Sequence, residues 1–141
     1  MKSYNKIVPL SELCDELNNL NEGNIHKPRI LAFIYYGPEI LYRTDYEVIA
    51  TPHHRNGQGI LDAYWIMTAA SDEKAHALIR QRGIDMILIT NDPGERNYYS
   101  AAPRGSIFYD HLKTDRHPDW IKAVDLPPIL STCYRLFLVV G

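Results

Sequence analysis

A chain of 141 residues, 45% apolar and 23% charged, has the size and composition of one globular domain with one core. Its net charge of -2, with lysines and arginines interleaved among acids, excludes the basic stripe by which nucleic-acid binders neutralise phosphates. No stretch reaches the roughly 18 apolar residues that span a bilayer, and residues 1–6 lack the apolar run of a secretory leader.

Leu10, Leu13, Cys14, Leu17 and Leu20 recur at helical spacing, which predicts a helix over 10–21, started at Pro9 or Ser11 and ended by Gly23. The apolar run 29–34, just after Pro28, has the length of a buried strand. Gly37-Pro38 breaks it, 39–42 form a helical turn, and 47–50 make a second short strand. A polar loop over 51–59 leads into a helix over 60–69. Ser71 caps a further helix whose first turn holds Asp72 and Glu73, where the helix dipole favours acids, and Gly83 ends it. Met86-Ile87-Leu88-Ile89, within 85–90, is the strongest candidate for a buried strand. A long loop over 91–105 follows, then short helices over 107–112 and 119–124 and a last strand over 134–140. Strands separated by helices predict a single α/β domain over 1–141: three-layer, Rossmann-like, with about four mostly parallel strands flanked by helices.

The densest polar segment is Thr51-Pro52-His53-His54-Arg55-Asn56-Gly57-Gln58-Gly59. It follows a strand and precedes a helix, the place where open α/β sheets bind ligands. Two imidazoles, a guanidinium and an amide, beside the N–H groups of a helix start, suit a phosphate or carboxylate. The plainer alternative is a polar surface loop that caps its helix. Tyr35 and Tyr36 after the first strand, and Tyr98 and Tyr99 in the 91–105 loop, place aromatic rings at the same sheet edge. Such a crevice of flat apolar faces and planar polar groups suits a sugar or polyol; simple packing of the tyrosines is the alternative. His53, His54, Asp110, His111 and His117 are ligand types that zinc accepts, but their spacing matches no zinc motif, and neither a metal nor a cofactor is expected. Ser106 and Cys133 lie in no nucleophile motif, and no phosphate-binding glycine loop is present. Cys14 and Cys133 read as two small buried residues, with a single disulfide as the alternative in an oxidising compartment.

The order of motifs over 29–90 resembles the extracytoplasmic C-terminal domain of polytopic membrane glycosyltransferases of the GT-C type, of which the oligosaccharyltransferase catalytic subunits are the best-known members. The residues that carry this are Tyr36-Gly37, Arg43-Thr44, Ser71-Asp72-Glu73-Lys74-Ala75 and Asp85-Met86-Ile87-Leu88-Ile89. Gly37-Pro38-Glu39-Ile40-Leu41-Tyr42-Arg43-Thr44, followed by Pro52-His53-His54-Arg55-Asn56, also resembles the tails of bacterial multi-spanning proteins of that kind, as do Trp120-Ile121-Lys122 and Tyr134-Arg135-Leu136-Phe137. The family's Trp-Trp-Asp signature, which grips the acceptor peptide, is replaced by Phe33-Ile34-Tyr35, so sequon recognition does not carry over.

The resemblance implies an accessory domain, excised from the C-terminal part of a longer membrane protein and held on the periplasmic side. Its partners would be the membrane-embedded portion of the same polypeptide and a lipid-linked saccharide donor or acceptor, with no nucleic acid. The domain alone would not be catalytic, while its parent would be a glycosyltransferase. His53, His54, Arg55 and Asn56, with Tyr36 and Arg43, are the expected ligand-binding residues. Two alternatives stand beside this reading: a free-standing cytoplasmic small-molecule-binding or regulatory domain, and a small metal-dependent hydrolase using His53, His54, Asp110 and His111.

Overall fold

The computed structural model describes residues 8–23, 26–52, 57–99, 106–114 and 116–141. In chain order the elements are α1 (Leu10–Leu20), β1 (Arg29–Leu31), a 3-10 turn (Ile34–Tyr36), α2 (Gly37–Arg43), β2 (Glu47–Val48), α3 (Gly57–Met67) and α4 (Asp72–Arg82). Then come β3 (Met86–Thr90), α5 (Pro93–Tyr98), α6 (Phe108–Leu112), β4 (Ile121–Ala123), α7 (Pro128–Ser131) and β5 (Tyr134–Val139).

Where local chemistry sets an element end, the sequence reading holds. The Ser71 hydroxyl accepts from the Lys74 N–H at the start of α4, and Gly83 ends that helix in the left-handed conformation, φ 63°, which a side chain would resist. Two elements depart from expectation. The segment predicted as a helix over 119–124 contains strand β4, which pairs with β5 through Ile121 and Val139. The predicted 91–105 loop contains α5, started by Pro93 after Asp92, whose carboxylate accepts from the Gly94 N–H at 2.9 Å.

The sheet has five strands in the order β2-β1-β3-β5-β4. The pairs β1–β2 and β1–β3 are parallel, whereas β3–β5 and β4–β5 are antiparallel. This corrects the expectation of about four mostly parallel strands in a Rossmann-like sheet. The cause is chain length: segment 124–133, between β4 and β5, falls short of the dozen or so residues, about, that a parallel crossover takes, so β5 returns antiparallel.

Alternate residues of β3 enter two cores. Met86 and Leu88 pack with Leu13, Leu17, Ile40 and Leu136 on the face covered by α1, α2 and α7. Ile87 and Ile89 pack with Ile66, Met67, Ile79 and Phe108 on the face covered by α3, α4 and α6. All five residues of β3 are buried. Cys14 and Cys133 form no disulfide, and both are buried in the first of these cores.

Gly37 sits where β1's exit meets β2's exit. A Cβ there would lie 2.5 Å from the Ala50 carbonyl oxygen and 2.9 Å from Thr51 Cγ2. The backbone oxygen cannot swing aside as a long side chain would, so only glycine lets α2 start this close. Gly37→Ala is expected to cost about 1–3 kcal/mol in urea unfolding, the usual penalty of overpacking, and to shift Tyr36, its neighbour in sequence.

Candidate functional site

The chain leaves β1 toward β2 on one side and later lays β3 on the other side of β1. The carboxyl ends of β1 and β3 therefore flank a topological switch point, where open α/β sheets form their ligand crevices. Here the crevice has a specific origin. The last paired residue of β1 is Leu31, opposite Ile87, yet β3 runs on to Thr90. The Asn91 N–H turns to β5, donating to the Cys133 carbonyl at 3.0 Å. By strand alternation the Thr90 N–H and C=O then face the gap that β1 has vacated.

A buried backbone donor and acceptor without strand partners must be met by side chains. Glu95 of α5 turns its carboxylate to the Thr90 N–H, at 3.2 and 3.3 Å to its two oxygens, and accepts the Thr90 hydroxyl proton at 2.6 Å. The Thr90 carbonyl accepts from Lys113 Nζ at 2.6 Å and from the Tyr109 hydroxyl at 3.2 Å. Tyr36, from the turn after β1, closes the group with its hydroxyl 3.4 Å from Thr90 Oγ1. Beside it Arg96 makes a two-pronged ion pair with Asp110, at 2.7 and 3.0 Å. A groove of about 560 Å³ opens over Asp92, Arg96, Tyr109, Asp110 and Lys113.

Glu95 is completely buried. Burial pushes its carboxyl up to about 7, against the opposing pull of hydrogen bonds from Thr90 and Tyr109 and the charge of Lys113. Burial lowers Lys113 in turn, with Glu95 pulling it back up. Tyr36 is raised, chiefly by its half-buried position, while its bond to Thr90 lowers it.

On the other side of Tyr36 runs a chain of aromatic rings. Phe33 makes edge contacts with Tyr35, Tyr36 and Tyr98, at centroid distances of 5.3, 5.5 and 5.3 Å. Tyr98 continues to Tyr64 at 6.0 Å, and Tyr64 to Trp65 at 5.7 Å. Tyr99 is buried beneath them, but Tyr35 and Trp65 are 62% and 56% exposed. Large rings left this open, on a framework of packed rings, are poised to cover a flat ligand face.

The expected site residues fare differently. Tyr36 lies in the crevice. Arg43 does not: it stands at the far end of α2, paired with Glu39 at 2.8 Å. His53, His54, Arg55 and Asn56 lie outside the described residues. Of the zinc-type residues, Asp110 is held by Arg96, His111 Nδ1 meets Asp72 at 2.8 Å, and His117 packs edge-on against Phe137. Among the described residues no three His, Cys, Asp or Glu side chains gather to hold a metal.

Sequence reasoning missed Thr90, Glu95, Tyr109, Lys113, Tyr64 and Trp65. One signal was present: Asp92-Pro93-Gly94-Glu95 is the acid-Pro-x-Glu start of a helix. A larger groove, about 740 Å³, follows the open edge of β2. Of its charges, Arg29 pairs with Glu47 at 2.9 Å and Arg82 with Asp62, and the switch point, with its buried polar group, is the better candidate.

The fold and this crevice define a class: an α/β domain with a mixed sheet and a switch point lined by aromatic and buried polar groups. No family model matches the chain, and no curated protein matches its sequence. Among solved structures it is similar to the C-terminal globular domain of an oligosaccharyltransferase, AfAglB-S2, from Archaeoglobus fulgidus, with a TM-score of 0.67 and 16% identity over 94% of this chain and 98% of that one. A second structure of the C-terminal globular domain of oligosaccharyltransferase from the same organism gives a TM-score of 0.67 and 16% identity over 94% and 95%. At this identity the likeness is one of fold, and it runs across nearly the whole of both chains. No helix of the described residues is long and apolar enough to cross a membrane.

The Glu95 environment has a signed consequence for stability. Its carboxyl moves from 4.5 to about 7 on folding, so between those values the native state holds a proton that the unfolded chain has released. Stability should therefore be full below about pH 4.5 and decline as pH rises toward 7, by on the order of 3 kcal/mol for this group. Urea unfolding of wild type and Glu95→Gln across that range should show the decline in the first and its loss in the second.

Proposed function

We propose that the chain is an extracytoplasmic accessory domain of a membrane glycosyltransferase-like protein, and that its switch-point crevice helps hold a lipid-linked saccharide donor or acceptor. The observation that carries the proposal is the exposure of two rings, Tyr35 and Trp65, at the two ends of the edge-packed chain formed with Phe33, Tyr98 and Tyr64. Saccharides present flat apolar faces rimmed by hydroxyls; rings meet the faces, and Tyr36, whose ring packs on Phe33, brings a hydroxyl to the same cluster. The whole-domain likeness in fold to an oligosaccharyltransferase's C-terminal domain supports the same assignment.

In this reading His53, His54, Arg55 and Asn56 add groups for an anionic part of the ligand, such as the phosphate of a lipid-linked sugar. The partner is a membrane-embedded portion of the same polypeptide, on the periplasmic side. The domain binds and positions, and the bond-making chemistry belongs to that portion.

Two measurements test this. Soluble oligosaccharides titrated into the domain should move the Tyr35 and Trp65 ring resonances in NMR. Tyr35→Ala and Trp65→Ala should each weaken binding about tenfold with little change in melting temperature, since both rings are largely exposed; Arg55→Ala should weaken binding of phosphorylated sugars alone. An absence of any saccharide response would sink the ligand assignment. Separately, an antibody to the domain should detect a band far heavier than 16.2 kDa in the membrane fraction of source cells. A soluble band at the domain's own mass would overturn the membrane assignment.

A further inference from the structure

We propose that Glu95 is a positioning residue that sets, through Thr90, whether the Tyr36 hydroxyl offers the crevice a proton or a lone pair. The inference rests on the crevice being the ligand site only for its functional consequence; the hydroxyl chain itself is a property of the free domain.

The argument is one of counting protons on three oxygens. With Glu95 ionised, the Thr90 hydroxyl has one place for its proton, the carboxylate 2.6 Å away. Thr90 Oγ1 is then an acceptor toward its other neighbours, the Asp92 N–H at 3.2 Å and Tyr36 at 3.4 Å. Toward Thr90, Tyr36 can then act only as donor, with the Asp92 carboxylate as the competing acceptor for its proton, and while it donates inward its lone pairs face the crevice. When Glu95 takes up a proton from water, its O–H donates to Thr90 Oγ1. The Asp92 N–H still occupies a lone pair of that oxygen, so the Thr90 proton turns to the Tyr36 oxygen. Tyr36 then directs its own O–H outward. One buried protonation thus reverses the polarity of a hydroxyl two bonds up the chain, with no movement of the backbone.

The surroundings keep this equilibrium within reach of physiological pH. The groups facing Glu95 are Tyr109 of α6, Lys113 at the end of α6, Tyr36, and Tyr99 just after α5; Asp92 lies at the start of α5, and Arg96 is engaged by Asp110. Lys113 is the facing cation, and burial opposes it strongly enough to bring the carboxyl to about 7. The consequence is a ligand preference. Below neutrality the crevice presents a donor and favours an acceptor such as a carboxylate or phosphate on the sugar. Above neutrality it presents a lone pair and favours a sugar hydroxyl.

The test uses protein labelled with ¹³C at tyrosine Cζ and glutamate Cδ, without any ligand, followed by NMR from about pH 5 to about pH 9. Expected is a step in the Tyr36 Cζ shift at the same midpoint as the Glu95 Cδ titration. The step should vanish in Glu95→Gln and in Thr90→Val, which removes the relaying oxygen, and return in Thr90→Ser. A response to any group other than Glu95 would survive all three substitutions. A flat Tyr36 signal while Glu95 titrates overturns the proposal, as does a step that persists in Glu95→Gln, or a Glu95 that does not titrate in this range. If Glu95→Gln fails to fold, the Thr90→Val and Thr90→Ser pair decides alone. Loss of saccharide binding with the Tyr36 step intact would strike only the saccharide assignment, and the reverse result only this one.

Discussion

The rest of the structure depends on a central strand that outlasts its neighbour. β3 is buried at every residue and paired with β5 along its whole length, yet β1 pairs only with Met86 and Ile87 and turns away after Leu31 while β3 continues to Thr90. Backbone polar groups in that position have neither water nor a strand to bond. Glu95, Tyr109 and Lys113 supply the missing partners. A carboxylic acid is therefore buried for a structural reason, and the same burial makes its proton labile near neutrality. Structural necessity and chemical potential arise here from one geometric fact.

The crevice has two sides of different character, and Tyr36 belongs to both. Its ring joins the edge-packed aromatics around Phe33, and its hydroxyl joins the polar group at Thr90. Gly37 makes this double role possible, since only a residue without Cβ lets α2 begin against the Ala50 carbonyl. On the aromatic side the rings meet edge to face, and Tyr35 and Trp65 remain largely exposed rather than joining the core.

The likeness to oligosaccharyltransferase C-terminal domains rests on fold at 16% identity. In this chain the fold is built on parallel strands β1 and β3 meeting at a switch point, with helices packed on both faces. Phe33 is the hub of the ring cluster, in edge contact with Tyr35, Tyr36 and Tyr98.

The sequence by itself determined what depends on near neighbours. The apolar run at β3, the Ser71 cap, the Gly83 stop and the tyrosines after β1 are local features, each decided within a few residues, and each was legible. Tertiary structure alone decided what depends on partners far along the chain. Ile121 became a strand rather than a helix because Val139 lay opposite it, and β5 ran antiparallel because its connection was too short to cross over. Glu95 fell in a segment read as a loop; that it is buried follows from Thr90, whose bare backbone groups exist only because β1 stops three residues short of them. Propensity and spacing carry no information about where a neighbouring strand ends, and the candidate site is made at such an end.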